Sequence, residues 1–194
     1  MFPGGKEYFS DLELVKSQLG RNITGFLKVA KRCRWGYPQV IMCYPLNKGR
    51  PFPTLYWLTC PYLNKHVGEL ESKGKIEEFG RLALHDSDFG EELRQAHREY
   101  ASERFSLLGV GVRKHLEERF PSYLEVIRSR GIGGVVESCG VKCLHAHLAY
   151  YLVGGRTPVG RAVVNLLLGL ECLDMPKCAV IEFCKRFRDH NKGG

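Results

Sequence analysis

Three observations predict an α+β fold, a small antiparallel sheet near the N-terminus packed by a mainly helical remainder. Proline-fenced β-rich runs fill the first third of the chain. After Pro61 the apolar residues recur at helical spacing. The 194 residues, 44% hydrophobic and 11% aromatic, suffice to bury a core and lack the long polar tracts of a disordered chain. One domain is expected over 1–194: sheet-rich over 1–60, helix-rich over 61–170, and a cysteine-containing extension over 171–194. No run of about 18 apolar residues is present, so a membrane helix is not expected. Residues 1–7 lack the apolar stretch of a secretion signal, which points to the cytoplasm.

The first element is announced by Ser10-Asp11-Leu12-Glu13, a capping box, with Leu12, Val15 and Leu19 on the buried side and Gly20 as the stop. Three β-rich runs follow, Gly25 to Lys31, Gln39 to Tyr44 and Thr54 to Thr59, with Asn47-Lys48-Gly49 as a turn. Pro61 suits a first helical position and leads Leu63, Val67 and Leu70. Ile76, Phe79 and Leu82 mark the next helix. The strongest helix starts near Ser87-Asp88 and carries Phe89, Leu93, Ala96, Tyr100 and Leu107, with Arg94, Arg98, Glu103 and Arg104 on a flank read as solvated. A further helical stretch is expected from about Lys114 to Arg128 despite Pro121. Gly131-Ile132-Gly133-Gly134 reads as a loop; no strand precedes it, which argues against a dinucleotide site. Helices are expected from Val141 to Val153 and after the Thr157-Pro158 cap, then a β-like run from Ala179 to Phe183.

The net charge of +8 is concentrated in one segment. From Leu14 to Gly68 there is no Asp or Glu, while Lys28, Lys31, Arg32, Arg34 and other cations alternate with Trp35, Trp57 and several tyrosines. Such a face attracts phosphates and stacks on bases, which makes nucleic acid or another polyanion one expected partner. The plainer alternative is a sheet whose aromatics are core and whose lysines face water.

Eight cysteines in a cytoplasmic chain suggest metal ligation, redox chemistry or burial rather than disulfides. The densest group of soft ligands is Cys143-Leu144-His145-Ala146-His147. On a helix, Cys143 and His147 are four apart and share a face, while His145 points away, so Cys143 and His147 form the expected core pair of a metal site. Cys60, expected at a helix start before Pro61, and Cys33, between Arg32 and Arg34, are the first candidates to complete it. His145 and the loop cysteines Cys172 and Cys178 come next. Zinc fits the mixed set, and an iron–sulfur cluster would draw mainly on the cysteines. Cys143 with His147 as base is the covalent-catalysis alternative. Arg32, Arg34 and Lys142 are the expected anion-binding residues, for an anionic small molecule or a nucleic acid.

Several strings carry a family resemblance when taken in order: Arg32-Cys33, Gly36-Tyr37-Pro38-Gln39-Val40-Ile41, Pro51 to Thr59, Ala96-His97 with Tyr100 and Arg104, Gly131 to Gly134, Val141 to His147, and Pro158-Val159-Gly160. From about Val15 to Leu170 the chain resembles the bacterial family catalogued as domain of unknown function 501. The resemblance implies a cytoplasmic bacterial protein without an assigned activity. It sets Cys33, Cys143 and His145 within motif strings, and some relatives carry histidine where this chain has Cys60. The expected function is thus a Cys/His metal-binding protein, an enzyme on an anionic substrate being one form of it. The alternative is a non-enzymatic polyanion-binding module using the basic segment.

Overall fold

The computed structural model describes residues 10–136 and 138–179. Ser10 caps α1 (Asp11–Leu19), its hydroxyl accepting from the Glu13 amide while the Glu13 carboxylate takes the Ser10 amide, and Gly20 ends the helix in the left-handed region at φ 66°. Three strands form an antiparallel sheet in the order β1 (Phe26–Arg32), β2 (Pro38–Cys43), β5 (Tyr56–Leu58). Between β2 and β5, β3 (Leu46–Asn47) and β4 (Arg50–Pro51) make a hairpin closed by Lys48 and Gly49, both at positive φ. That is the geometry a two-residue hairpin turn requires.

The central strand β2 is buried along its whole length, and its alternating residues feed two cores. Ile41 and Cys43 pack with Val15 of α1 and with Leu19, Ile23, Phe26, Val29 and Trp57. Val40 and Met42 face the main core, which α2 (Pro61–Ser72), α3 (Lys75–His85), α4 (Ser87–Ser106), α7 (Leu144–Leu152) and α8 (Pro158–Leu166) complete. The sheet is therefore a middle layer, with one helix on one side and the helical body on the other. A satellite cluster under α5 (Val110–Arg119) and α6 (Pro121–Ser129) gathers Leu108, Leu116, Leu124 and Ile127.

Three local expectations need correction. The stretch from Lys114 to Arg128 is two helices, α5 and α6, broken at Phe120 (φ −142°, ψ 56°), because Pro121 starts a new helix instead of surviving inside one. The helix expected from Val141 begins only at Leu144, since Cys143 is extended (φ −154°, ψ 115°). Arg104, read as solvated, is fully buried: Nε donates to the Ile127 carbonyl (2.9 Å), Nη1 to that of Pro53 (2.8 Å) and Nη2 to that of Arg130. Periodicity misses this because three carbonyls from other segments decide it. Thr157 does cap α8, its hydroxyl accepting from the Gly160 amide. Of the β-like run expected at 179–183, Ala179 is helical instead, its amide donating to the Pro176 carbonyl, and the remainder lies outside the described residues, as does Cys184.

The 131–134 segment is a short 3-10 turn after α6, not a strand-to-helix loop. The buried His97 ring organises it, with Nδ1 accepting from the Ile132 amide (3.0 Å) and Nε2 donating to the Gly140 carbonyl (3.1 Å). Those two bonds fix a neutral tautomer, in keeping with burial pulling the His97 pKa down. A side chain at Gly131 would collide with that ring, the nearest atom being 2.6 Å from an added Cβ.

Candidate functional site

The start of α7 faces the end of α2. Because Cys143 is still extended when Leu144 opens the helix, its thiol and the His145 ring meet on one side, contrary to what continuous helical spacing suggests. Glu71, in the last turn of α2, completes the group. Its Oε1 accepts from the Leu144 amide at 2.7 Å and stands 3.1 Å from His145 Nδ1. One donor atom from each of Glu71, Cys143 and His145 lies within 4.8 Å of the others. The other ring nitrogen of His145, Nε2, is 3.2 Å from the Asn64 carbonyl.

Both partners of the ring are acceptors, so His145 is an imidazolium that donates twice. Burial opposes that charge. The Cys143 side chain, Glu71 and the Asn64 carbonyl outweigh it and hold the His145 pKa up at about 9. The carboxylate on the Leu144 amide also satisfies one of the free N–H groups at the helix start and complements its dipole.

A pocket of about 390 Å³ opens beside the trio, within the range for a small molecule. Cys143, His145, Asn64, Arg21, Thr54 and Trp57 line it along with apolar residues, and no carboxylate does. The Arg21 guanidinium lies over the Trp57 ring, 4.7 Å from its centroid, and makes no ion pair among the described residues.

The expected core pair is not brought together. His147 is completely buried and turns its ring from Cys143 to the Thr157 hydroxyl (Nδ1 to Oγ1, 2.8 Å) and to His97, with ring centroids 5.7 Å apart. Burial, then the proximity of His97, lowers its pKa to about 3. Its Nε2 has no hydrogen-bond partner among the described residues. Cys33, Cys60, Cys172 and Cys178 lie apart from the trio, around the start of β2. Of the expected anion-binding residues, Arg32 is spent on both oxygens of Asp11 (2.7 Å each), and Arg34 on Glu171 and the carbonyls of Cys172 and Leu173. Lys142 is exposed.

Residues 29–165, well over half of the chain, match the family described as Protein of unknown function (DUF501). The chain belongs to that family. No curated protein and no solved structure matches it. The matched region of this DUF501 chain contains Cys143, His145 and Glu71, whereas Arg21 lies before it and Cys172 and Cys178 after it.

Glu71 is the site residue that sequence reasoning misses. It follows Asn64 by seven positions and the buried Val67 by four, so the signal is an acid on the core-facing stripe of α2 rather than on its solvent face. Its partner stands 73 residues away, beyond the reach of any local pattern.

Among the described residues, no helix is long and apolar enough to cross a membrane.

Proposed function

We propose that Glu71, Cys143 and His145 hold a zinc-type divalent ion whose fourth position opens on the neighbouring pocket, where it binds and polarises a small anionic substrate. The observation that carries this reading is the spacing of three chemically different donors. Two ligands at about 2.0–2.1 Å from a tetrahedral zinc stand about 3.3 Å apart. The Glu71–His145 separation of 3.1 Å is close to that. With Nδ1 on the metal, the Nε2–H bond to the Asn64 carbonyl supplies the outer support that ligating histidines ordinarily have.

Three protein ligands and one open position form the pattern of catalytic rather than structural zinc. The ion would act as a Lewis acid and lower the pKa of bound water. Arg21, braced on Trp57, would meet the substrate's negative charge, and the apolar wall of Tyr56, Leu58 and Ala146 would exclude water. Loading displaces the proton now shared by His145 and Glu71, so metal affinity rises with pH.

The test is metal content of protein purified without metal-affinity media, compared with Glu71→Gln and Cys143→Ser. Each variant is expected to lose one equivalent that wild type carries. Retention of full metal by both variants refutes the assignment.

One observation favours a second reading. The Cys143 side chain hydrogen-bonds the His145 ring, the pairing that a cysteine nucleophile and its histidine partner require. Chelator-treated protein in which iodoacetamide labels Cys143 far faster than the equally half-buried Cys33, Cys139 and Cys172, with no metal bound before treatment, would select it.

A further inference from the structure

The segment after α8 is held to the sheet in an unusual way. Its packing is uneven: Leu168, Leu173 and Met175 are exposed while Leu167 and Leu170 rest on the main core, and residues 167–176 form neither helix nor strand. It is nevertheless tied repeatedly to the start of β2. Gln39 Nε2 donates to the Leu170 carbonyl (2.6 Å). Arg34 Nη2 and Trp35 Nε1 both donate to the Cys172 carbonyl (2.9 and 3.0 Å), and the Arg34 amide donates to Glu171. Gln18 Nε2 bridges the Pro38 carbonyl and the Cys178 sulfur (2.8 and 3.2 Å).

Two more cysteines converge on the same place. Cys33 follows β1, its amide donating to the Tyr37 carbonyl across a turn that Gly36 closes. Thr59 is bonded to the Gln39 and Pro38 carbonyls, which sets Cys60, the next residue and the cap of α2, beside them. All four thiols are free. They also sense one another. Burial raises the Cys60 pKa, the Leu63 and Tyr62 amides ease it, and Cys172 and Cys33 raise it again. Burial pushes Cys178 up to about 11, Gln18 works against this, and Cys60, Cys33 and Cys172 add to it. Four thiols gathered from three segments around the Pro38 end of β2 are a donor set that suits a soft cation.

We infer that Cys33, Cys60, Cys172 and Cys178 form a second, structural metal site, a tetrathiolate zinc centre that fastens the 167–179 segment to the Pro38 end of the sheet. Four ligands from three separate segments leave no open position, which marks the site as structural. Among the described residues only the Glu71 trio has its donors all within 4.8 Å, so these sulfurs draw together around the ion. The movement falls on the lightly packed segment that carries Cys172 and Cys178. Cys43, buried in the α1 core, and Cys139, bonded to Arg94, belong to other surroundings and serve as controls.

The experiment uses the full chain carrying Glu71→Gln and Cys143→Ser, which removes the first site from the count. One equivalent of zinc is expected to remain. Its replacement by cobalt should give the intense thiolate charge-transfer bands of a four-sulfur site, and adding Cys33→Ser or Cys178→Ser should abolish both. Cys139→Ser should change neither. Should a ligand variant fail to fold, alkylation of the folded parent decides: chelation should increase labelling of these four thiols at least tenfold and leave Cys139 unaffected. Metal-free parent protein, equal labelling with and without chelator, or undiminished zinc in folded Cys33→Ser would each overturn the inference. A bound iron with visible colour and no zinc would overturn the choice of metal. Because the trio is already disabled, failure here is distinct from failure of the catalytic-site reading.

Discussion

Replacing Arg104 by lysine tests how much one buried cation holds together. Its guanidinium reaches three carbonyls with three different nitrogens, joining the β4–β5 connection at Pro53 to the end of α6 at Ile127 and Arg130. Burial lowers its pKa to about 10, so it stays charged at neutral pH. That displacement corresponds to about 3 kcal/mol against the charged form. Three charge-assisted hydrogen bonds at about 1.5–3 kcal/mol each exceed that cost and leave a net gain of about 1.5–6 kcal/mol. A lysine ammonium is a compact donor on a flexible stem and cannot span three carbonyls facing a planar fork. With two bonds lost and their carbonyls left dry, Arg104→Lys should cost about 3 kcal/mol, a large share of the ~5–15 kcal/mol that stabilises an ordinary domain. Urea unfolding followed by circular dichroism measures this, with the exposed Arg98→Lys on the same helix as a control expected within about 0.5 kcal/mol. If Arg104→Lys also falls within about 0.5 kcal/mol of wild type, the three bonds do not carry the packing of α6.

Acidification should destabilise the protein through His147. Its folded pKa of about 3 lies below the value of about 6.5 for an unfolded histidine, so the unfolded state binds the extra proton between those limits. Stability from this group is complete above about pH 6.5 and falls by about 1.4 kcal/mol per pH unit below it, or about 3 kcal/mol by pH 4.5, and His147→Gln should flatten the profile in that window. An NMR titration with the His147 midpoint near 6 would contradict it. At Gly160 an added Cβ would lie 2.7 Å from the His147 carbonyl oxygen and 2.6 Å from Tyr151 Cβ, so Gly160→Ala must separate α7 from α8. Thermal unfolding should show a loss of about 1–3 kcal/mol, and an unchanged midpoint would mean that the contact yields freely.

Local rules carried the local structure. The Ser10 capping box, the Lys48-Gly49 turn and the Thr157 cap each depend on atoms a few residues apart, and the sequence states them directly. Pro121 and Cys143 mark where such rules run out. A proline is equally compatible with ending a helix and with starting one, and Lys142-Cys143 has nothing local to forbid a helix that tertiary packing delays to Leu144. That delay of three residues reorganised the candidate site, because it exchanged His147 for His145 as the neighbour of Cys143. Glu71 and Arg104 were illegible for another reason. Each is polar in a helix, so the pattern assigns it to water, yet their hydrogen-bonding partners come from distant segments.

The pairing of β1 with β2 slips three times, between Phe26 and Lys28, between Val29 and Lys31, and between Lys31 and Arg32. An outer strand with straight, evenly spaced amides is an invitation for another chain to add itself, and β1 is such an outer strand. Its bulges bend the free edge out of register, and Lys28, Lys31 and Arg32 stand exposed along it. The positive charge of this segment thereby has a consequence that requires no ligand: like charges along a bent edge disfavour its pairing with the same edge of a second copy.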